Sequence, residues 1–213
     1  MSSVTHHIPE DILQAYVSGA LPHGFAVVVA AHLSLCDACR ATAEAQEAAA
    51  GAALETLETV APSADLRART LALLDAPPAE TGVPVPAPSG IYPGAVMAEL
   101  KNRPPRWRSL GAGIRQDILS AGPEGSVRLL YIPGGKAVPD HGHNGLEMTL
   151  VLQGSFHDHT GRFGRGDVQV VESDIEHTPM ADDGPPCICL AATDAPLRFN
   201  ALVPRLLQRV FRI

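Results

Sequence analysis

Residues 135–154 read GKAVPDHGHNGLEMTLVLQG, and this stretch decides how the second half of the chain is interpreted. His141 and His143 are two residues apart, so on a β-strand both imidazoles point to the same face of the sheet. Glu147 follows in the same stretch and His177 lies further along, and they would add a third and a fourth ligand. Three imidazoles and one carboxylate suit several transition metals without selecting one of them. The sequence therefore predicts a divalent metal site, with zinc as the first choice.

The spacing of this stretch is similar to the first sequence motif of the cupin family, from Gly135 to Gly154. The second cupin motif is only partly kept. Gly166 and His177 stand at the expected separation, but its usual proline, glycine and asparagine are replaced by Glu172, Asp174 and Ala181. The resemblance implies a cupin fold that binds a metal, and the departure puts catalysis in doubt more than metal binding. Short apolar runs between glycine and proline turns independently predict an all-β sandwich or barrel.

A proline-rich segment separates this region from a different sequence pattern. Residues 76–90 read APPAETGVPVPAPSG, with five prolines and two glycines, which is typical of an extended linker. The predicted fold class is multidomain α + β, with a small zinc-binding helical bundle followed by a cupin β-sandwich or barrel. The expected boundaries are a helical domain at 1–80, a linker at 81–92, a cupin domain at 93–200 and a C-terminal tail at 201–213 that packs on it.

Four helices are expected before the linker. The first starts after Pro9, the second covers about Phe25 to Leu33, and the third runs from near Asp37 to about Thr59 because alanine favours helix. Ser63 can cap a fourth helix that carries several leucines.

Within the helical region, residues 32–39 read HLSLCDAC. If the segment is helical, His32, Cys36 and Cys39 lie on one face and can converge. A histidine from the pair His6 and His7 would complete a Cys₂His₂ tetrahedron of the structural zinc type, and we prefer His7 because it adjoins Ile8. Zinc would strengthen a small helical domain that has few aromatic side chains to bury.

The formal net charge of −7 lies entirely in one part of the chain. Residues 1–85 contain 3 basic and 10 acidic residues, and residues 86–213 contain 13 of each. Such a surface repels nucleic acid and attracts basic protein surfaces. No apolar run reaches the roughly 20 residues that span a bilayer, and the N-terminus lacks signal-peptide features, so we predict a cytoplasmic protein without membrane contact.

The residues His7, His32, Cys36 and Cys39 resemble the signature of the zinc-binding anti-sigma factor family. A zinc anti-sigma domain followed by a cupin domain resembles those members that release their sigma factor in response to singlet oxygen. The resemblance implies a 1:1 complex with an extracytoplasmic-function sigma factor, inhibition by the N-terminal domain, and no catalytic residues. The alternative is a metal-dependent cupin enzyme, a dioxygenase or isomerase, with a helical docking domain. Cys187 and Cys189 are expected to face the same side of a strand and to be buried.

Overall fold

The computed structural model describes residues 4–75, 86–138, 141–142, 145–172, 178–195 and 198–199, with only the backbone described at 141–142 and 198–199. The predicted tail at 201–213 and part of the predicted linker lie outside the described residues. The division of the chain into domains remains a prediction.

Four helices lie where the sequence pattern places them, with small differences at their ends, and a fifth, short helix after the linker was not predicted. They are α1 (Glu10–Val17), α2 (His23–Leu33), α3 (Asp37–Glu55), α4 (Leu66–Leu74) and a short α5 (Gly94–Glu99). Helices α1, α2 and α5 each begin directly after a proline, whose fixed φ suits the start of a helix. Helix α3 ends at Glu55 rather than Thr59, and Asp65 rather than Ser63 precedes α4.

The region after α5 consists of antiparallel strands. They are β1 (Arg108–Gly111), β2 (Ile114–Gly122), β3 (Gly125–Ile132), β4 (His141–Gly142), β5 (Glu147–Gln153), β6 (Ser155–Asp158), β7 (Gly161–Gly164), β8 (Val168–Val171), β9 (Met180–Ala181), β10 (Cys187–Thr193) and β11 (Arg198–Phe199). Among the described residues, six strands form a sheet in the order β1-β2-β3-β10-β5-β8, three form the sheet β7-β6-β9, and β4 pairs with β11. A helical N-terminal region is thus followed by an antiparallel cupin-like domain, as expected.

The two faces of the six-stranded sheet are buried against different partners. Residues of one face, such as Met148, Leu150 and Leu190, belong to the same apolar core as Phe25 and Val28 of α2. Residues of the other face pack towards the three-stranded sheet in a second core, which contains Val151, Cys187, Cys189, Phe156 and Phe163. The sheet region therefore supplies much of the apolar environment of α2.

Helix α2 lies close to the sheet along its first turn. A Cβ atom built on Gly24 would be 3.2 Å from Val127 Cγ2 and 3.7 Å from Ala192 Cβ. Glycine allows this close approach of the helix backbone to β3 and β10. The helical region consequently packs directly on the sheet rather than standing apart from it.

Helix α4 differs from the other helices, since none of its residues is buried. Among the described residues no single helix is long and apolar enough to cross a membrane. Helices α2 and α3 reach that length and apolar content only when they are taken together, and they are bent by 117° relative to each other.

Candidate metal centre

The four side chains of the predicted zinc site come from three local structures. His7 precedes α1, His32 lies in the last turn of α2, and Cys36 and Cys39 are the N-cap and a first-turn residue of α3. The expectation that His32, Cys36 and Cys39 share the face of one helix is wrong. Helix α2 ends at Leu33 and the backbone at Cys36 is extended, with φ −123° and ψ 104°. The bend between the two helices, rather than helical periodicity, brings the three side chains together.

The potential ligand atoms lie at distances that suit a metal ion. The side chains of His7, His32, Cys36 and Cys39 each offer one such atom, and these atoms all lie within 4.8 Å of one another. The His7 Nδ1 atom is 3.3 Å from the Cys36 sulfur and 3.6 Å from the Cys39 sulfur. Tetrahedral zinc with bonds of about 2.0–2.3 Å separates its ligand atoms by about 3.3–3.8 Å. The cluster could therefore hold a metal ion.

The polar atoms of His32 give an independent test of this fit. Its Nδ1–H donates to the Gly166 carbonyl oxygen at 2.9 Å, while its Nε2 is buried and has no hydrogen-bond partner among the described residues. Burial lowers the pKa of His32 to about 4, so the ring is neutral at physiological pH. A neutral imidazole whose buried Nε2 lone pair is unused is the form that binds zinc.

The two cysteine thiols are buried beside this imidazole. Burial raises the pKa of the Cys39 thiol, so a proton must leave it when a metal binds. The Cys36 sulfur accepts from the Cys39 backbone N–H at 3.5 Å and so caps α3. A pair of sulfur and a pair of nitrogen donors matches the preference of structural zinc sites.

The neighbouring His6 points away from the cluster. Its ring lies against Phe163, with 4.3 Å between ring centroids, and its Nδ1 is 3.5 Å from Asp167 Oδ2. This placement agrees with the preference for His7 over His6 as the candidate ligand.

The predicted cupin metal site is only partly described. Glu147 is buried at the start of β5 and accepts a hydrogen bond from the Thr149 hydroxyl at 2.9 Å. It alternates with Met148 and shares its side of β5 with Val151, so it faces the second core between the sheets. His141 is described only as backbone in β4, paired with Phe199, and His143 and His177 lie outside the described residues.

Other polar groups, which the sequence analysis did not identify, lie on the same face of the sheet as Glu147. Arg128 is buried on β3 and donates to Ser126 Oγ at 2.7 Å and to Gln116 Oε1 at 3.4 Å. Burial lowers the pKa of Arg128, and the nearby charge of Glu147 offsets part of that effect. A charged residue in an alternating strand carries no sequence signal of its own that would separate it from an exposed one.

The second cysteine pair lies in the second core, as expected. Cys187 and Cys189 are buried on β10 with their sulfur atoms 3.4 Å apart. The contact with Cys187, together with burial, raises the pKa of Cys189 well above its usual value.

Comparison with known proteins identifies a matching domain family, a similar protein and a similar solved structure. The family model of the ChrR cupin-like domain matches residues 97–195. The anti-sigma-E factor ChrR of Cereibacter sphaeroides is 50% identical to this chain over 217 residues, which cover 99% of this chain and all of that protein. The crystal structure of Rhodobacter sphaeroides SigE in complex with the anti-sigma ChrR contains a similar chain. That chain is 47% identical, with a TM-score of 0.76, and the match covers 90% of this chain and 100% of that one.

Proposed function

The chain belongs to the ChrR family of anti-sigma factors, and on this premise we propose that it binds and inhibits an extracytoplasmic-function sigma factor. The likeness to a chain solved in complex with SigE, over nearly the whole length, carries the proposal. The complex would form with one copy of each protein in the cytoplasm, without contact to DNA or membrane. The relatives at this identity are anti-sigma factors, so the enzyme alternative is not favoured.

The distribution of exposed apolar side chains supports a protein partner at the N-terminal region. Among the described residues, all the large exposed apolar side chains except Met180 lie within residues 54–74. They are Leu54, Leu57, Val60, Leu66, Leu71, Leu73 and Leu74. We call residues 54–74 the leucine segment. Apolar surface concentrated in this way marks protein interaction sites, and the acidic charge of residues 1–85 suits a basic, DNA-binding partner.

Transcription in vitro tests this function directly. Transcription by RNA polymerase holoenzyme that contains the SigE protein of Rhodobacter sphaeroides is measured with increasing amounts of the full chain. We expect transcription to stop near one equivalent of the chain, and no shift of promoter DNA by the chain alone. Full transcription at a large excess of the zinc-loaded chain would contradict the proposal.

We propose that the metal of the N-terminal cluster is zinc, held by His7, His32, Cys36 and Cys39. The unused Nε2 of His32 and the donor set support this choice. A structural zinc stabilises a fold by on the order of 10 kcal/mol and supplies no catalytic step. Its role here would be to hold α1, α2 and α3 together.

For the sheet region we propose a second divalent metal at His141, His143, Glu147 and His177, with a role in releasing the sigma factor in response to singlet oxygen. The burial of Glu147 on the inner face of β5 supports this site. Oxidation of Cys187 and Cys189 is a second route to release, but a thiol with a raised pKa, such as Cys189, reacts slowly as a nucleophile. Normal release under singlet oxygen by a chain with His141, Glu147 and His177 changed to alanine would refute the metal route.

A further inference from the structure

A turn of the sheet region holds the N-terminal segment through its backbone. The turn connects β7 to β8, and we call Gly164–Val168 the docking turn. Its Asp167 Oδ1 accepts from the backbone N–H groups of Thr5 at 2.6 Å and His6 at 2.9 Å, while Oδ2 accepts from Gly164 at 2.8 Å. The Val168 N–H donates back to the His6 carbonyl oxygen at 3.2 Å. The backbone immediately before His7 is therefore fixed by the sheet region.

The same turn also holds a second residue of the cluster. The Gly166 carbonyl oxygen accepts from His32 Nδ1, which fixes the ring and leaves Nε2 for the metal. Gly166 has φ +92°, and a Cβ atom there would lie 2.7 Å from Val4 Cγ2. Glycine at this position thus allows both the turn and the close approach of the N-terminal segment.

The carboxylate of Asp167 is well suited to this role. Its side chain is 6% exposed, so it was removed from water on folding and requires partners. Burial raises its pKa, but hydrogen bonds from His6, Thr5 and Gly164 together bring it below its usual value, so the group is ionised at neutral pH. Charge-assisted hydrogen bonds of this kind are about twice as strong as neutral ones.

We propose that Asp167 and Gly166 are positioning residues of the N-terminal metal site, so that the cupin-like region completes the surroundings of a zinc bound in the helical region. Gly166 orients His32 directly, and Asp167 orients His7 through the backbone of Thr5 and His6. The inference rests on the zinc site proposed above. The site thereby depends on residues more than 100 positions away, since His32 and Gly166 are 134 positions apart.

This arrangement links the two regions thermodynamically. Whatever the docking turn adds to zinc affinity, bound zinc adds to the docking of the turn, because coupling between two equilibria is reciprocal. A change in the sheet region that moved the docking turn would therefore weaken zinc binding among α1, α2 and α3. The turn gives a physical route from the cupin-like region to the helices around the zinc site.

Zinc competition on the full chain tests the role of Asp167. A chromophoric chelator competes for zinc with wild type, Asp167→Ala and Asp167→Asn, and Co²⁺ in place of zinc reports ligand geometry through its thiolate absorption bands. Loss of a direct partner of a metal-binding histidine lowers metal affinity by about 10–100-fold, and Asp167 acts on His7 only through the backbone, so a loss at the lower end, about tenfold, is appropriate. We expect this loss and shifted cobalt bands for Asp167→Ala, and a smaller loss for Asp167→Asn, which keeps one acceptor oxygen.

The matched control is Asp182→Asn. The carboxylate of Asp182 also has several partners, Ser155, His157 and Arg162, but all of them lie in the sheet region. We expect wild-type zinc affinity and cobalt bands for this variant. Equal zinc affinity and superimposable cobalt spectra for Asp167→Ala and wild type would overturn the proposal. A wild type that binds no zinc, or a Cys39→Ser variant with unchanged affinity, would instead refute the metal site itself.

Hydrogen exchange on the wild type gives a test that needs no variant to fold. Removal of zinc should speed exchange of the Val168 N–H, which bonds to His6. The Asp182 N–H bonds to the Ser155 carbonyl oxygen in the sheet region, outside the docking turn, and should keep its protection. Unchanged exchange at Val168 after zinc removal would contradict the link between the zinc site and the docking turn.

Discussion

Helices α2 and α4 belong to the same N-terminal region and have opposite environments. Six of the eleven residues of α2 are buried, between the other helices and the sheet, and α2 contributes His32 to the metal cluster. None of the nine residues of α4 is buried, although it contains four leucines. Apolar content alone therefore does not decide burial here. Helix α2 builds the fold and the metal site, and α4 is left with apolar surface for a partner.

The largest expected effect is the loss of stability when zinc is removed, because the metal site includes a residue of α2 and none of α4. Zinc removal, or the variant Cys39→Ser, should destabilise the arrangement around α2, because structural zinc contributes on the order of 10 kcal/mol. Thermal denaturation with and without chelator measures the loss. The leucine segment has no part in the cluster, so Leu74→Ala should bind zinc as wild type does. A melting temperature that ignores the chelator would contradict a structural zinc.

Truncation of one apolar side chain in each helix should have very different effects on stability. Phe25 of α2 is buried and Leu74 of α4 is 77% exposed. Phe25→Ala should lower the free energy of unfolding by about 3–5 kcal/mol, because it leaves a cavity in the shared core. Leu74→Ala should change it by less than about 0.5 kcal/mol. Similar losses in chemical denaturation for both variants would show that α4 is packed in solution.

Two glycines test whether α2 packs on the sheet in solution. Gly24→Leu should cost about 1–3 kcal/mol, since its side chain would press on Val127 and Ala192. Gly51 of α3 has no atom within 4 Å of a built Cβ, so Gly51→Ala should stabilise the helix by about 0.5–1 kcal/mol. Denaturant midpoints measure both variants. A neutral Gly24→Leu would mean that α2 does not approach β3.

Zinc binding is also expected to depend on pH. The raised pKa of Cys39 keeps its thiol protonated at neutral pH, and zinc must displace that proton. Zinc affinity should therefore rise with pH, by about tenfold per pH unit for each proton released. Chelator competition at about pH 6.5 and about pH 7.5 measures the slope. An affinity independent of pH would exclude a protonated cysteine as ligand.

The parts of the fold that could be predicted from the sequence are those with local signals. Prolines mark the starts of α1 and α2, and alternating or continuous apolar runs mark β3, β5, β8 and β10, because these signals act within a few residues. The spacing of His32, Cys36 and Cys39 identified the cluster but not its geometry. The same spacing is compatible with one helix face and with a helix end followed by an N-cap, and the structure has the second.

The contacts that join the two regions had no local signal. Asp167 bonds to Thr5 across 162 positions, and Gly166 bonds to His32 across 134. Glycine and aspartate at 166–167 are ordinary turn residues, so their second role becomes visible only when α2 packs on the sheet. The exposure of α4 was hidden for the same reason, since its leucines alone do not show what they pack against.

We expect the exposed leucine segment to bind the sigma factor while α2 holds the fold, and an affinity measurement tests this most directly. Zinc-loaded wild type, the double variant Leu73→Asp/Leu74→Asp and the control Met180→Asp are titrated into SigE of Rhodobacter sphaeroides by calorimetry. We expect tight 1:1 binding by wild type and Met180→Asp, and affinity lower by at least about tenfold for the double variant, because charges replace apolar contacts. Equal affinity of all three proteins, with zinc content and folding unchanged, would contradict a sigma-binding role of the leucine segment.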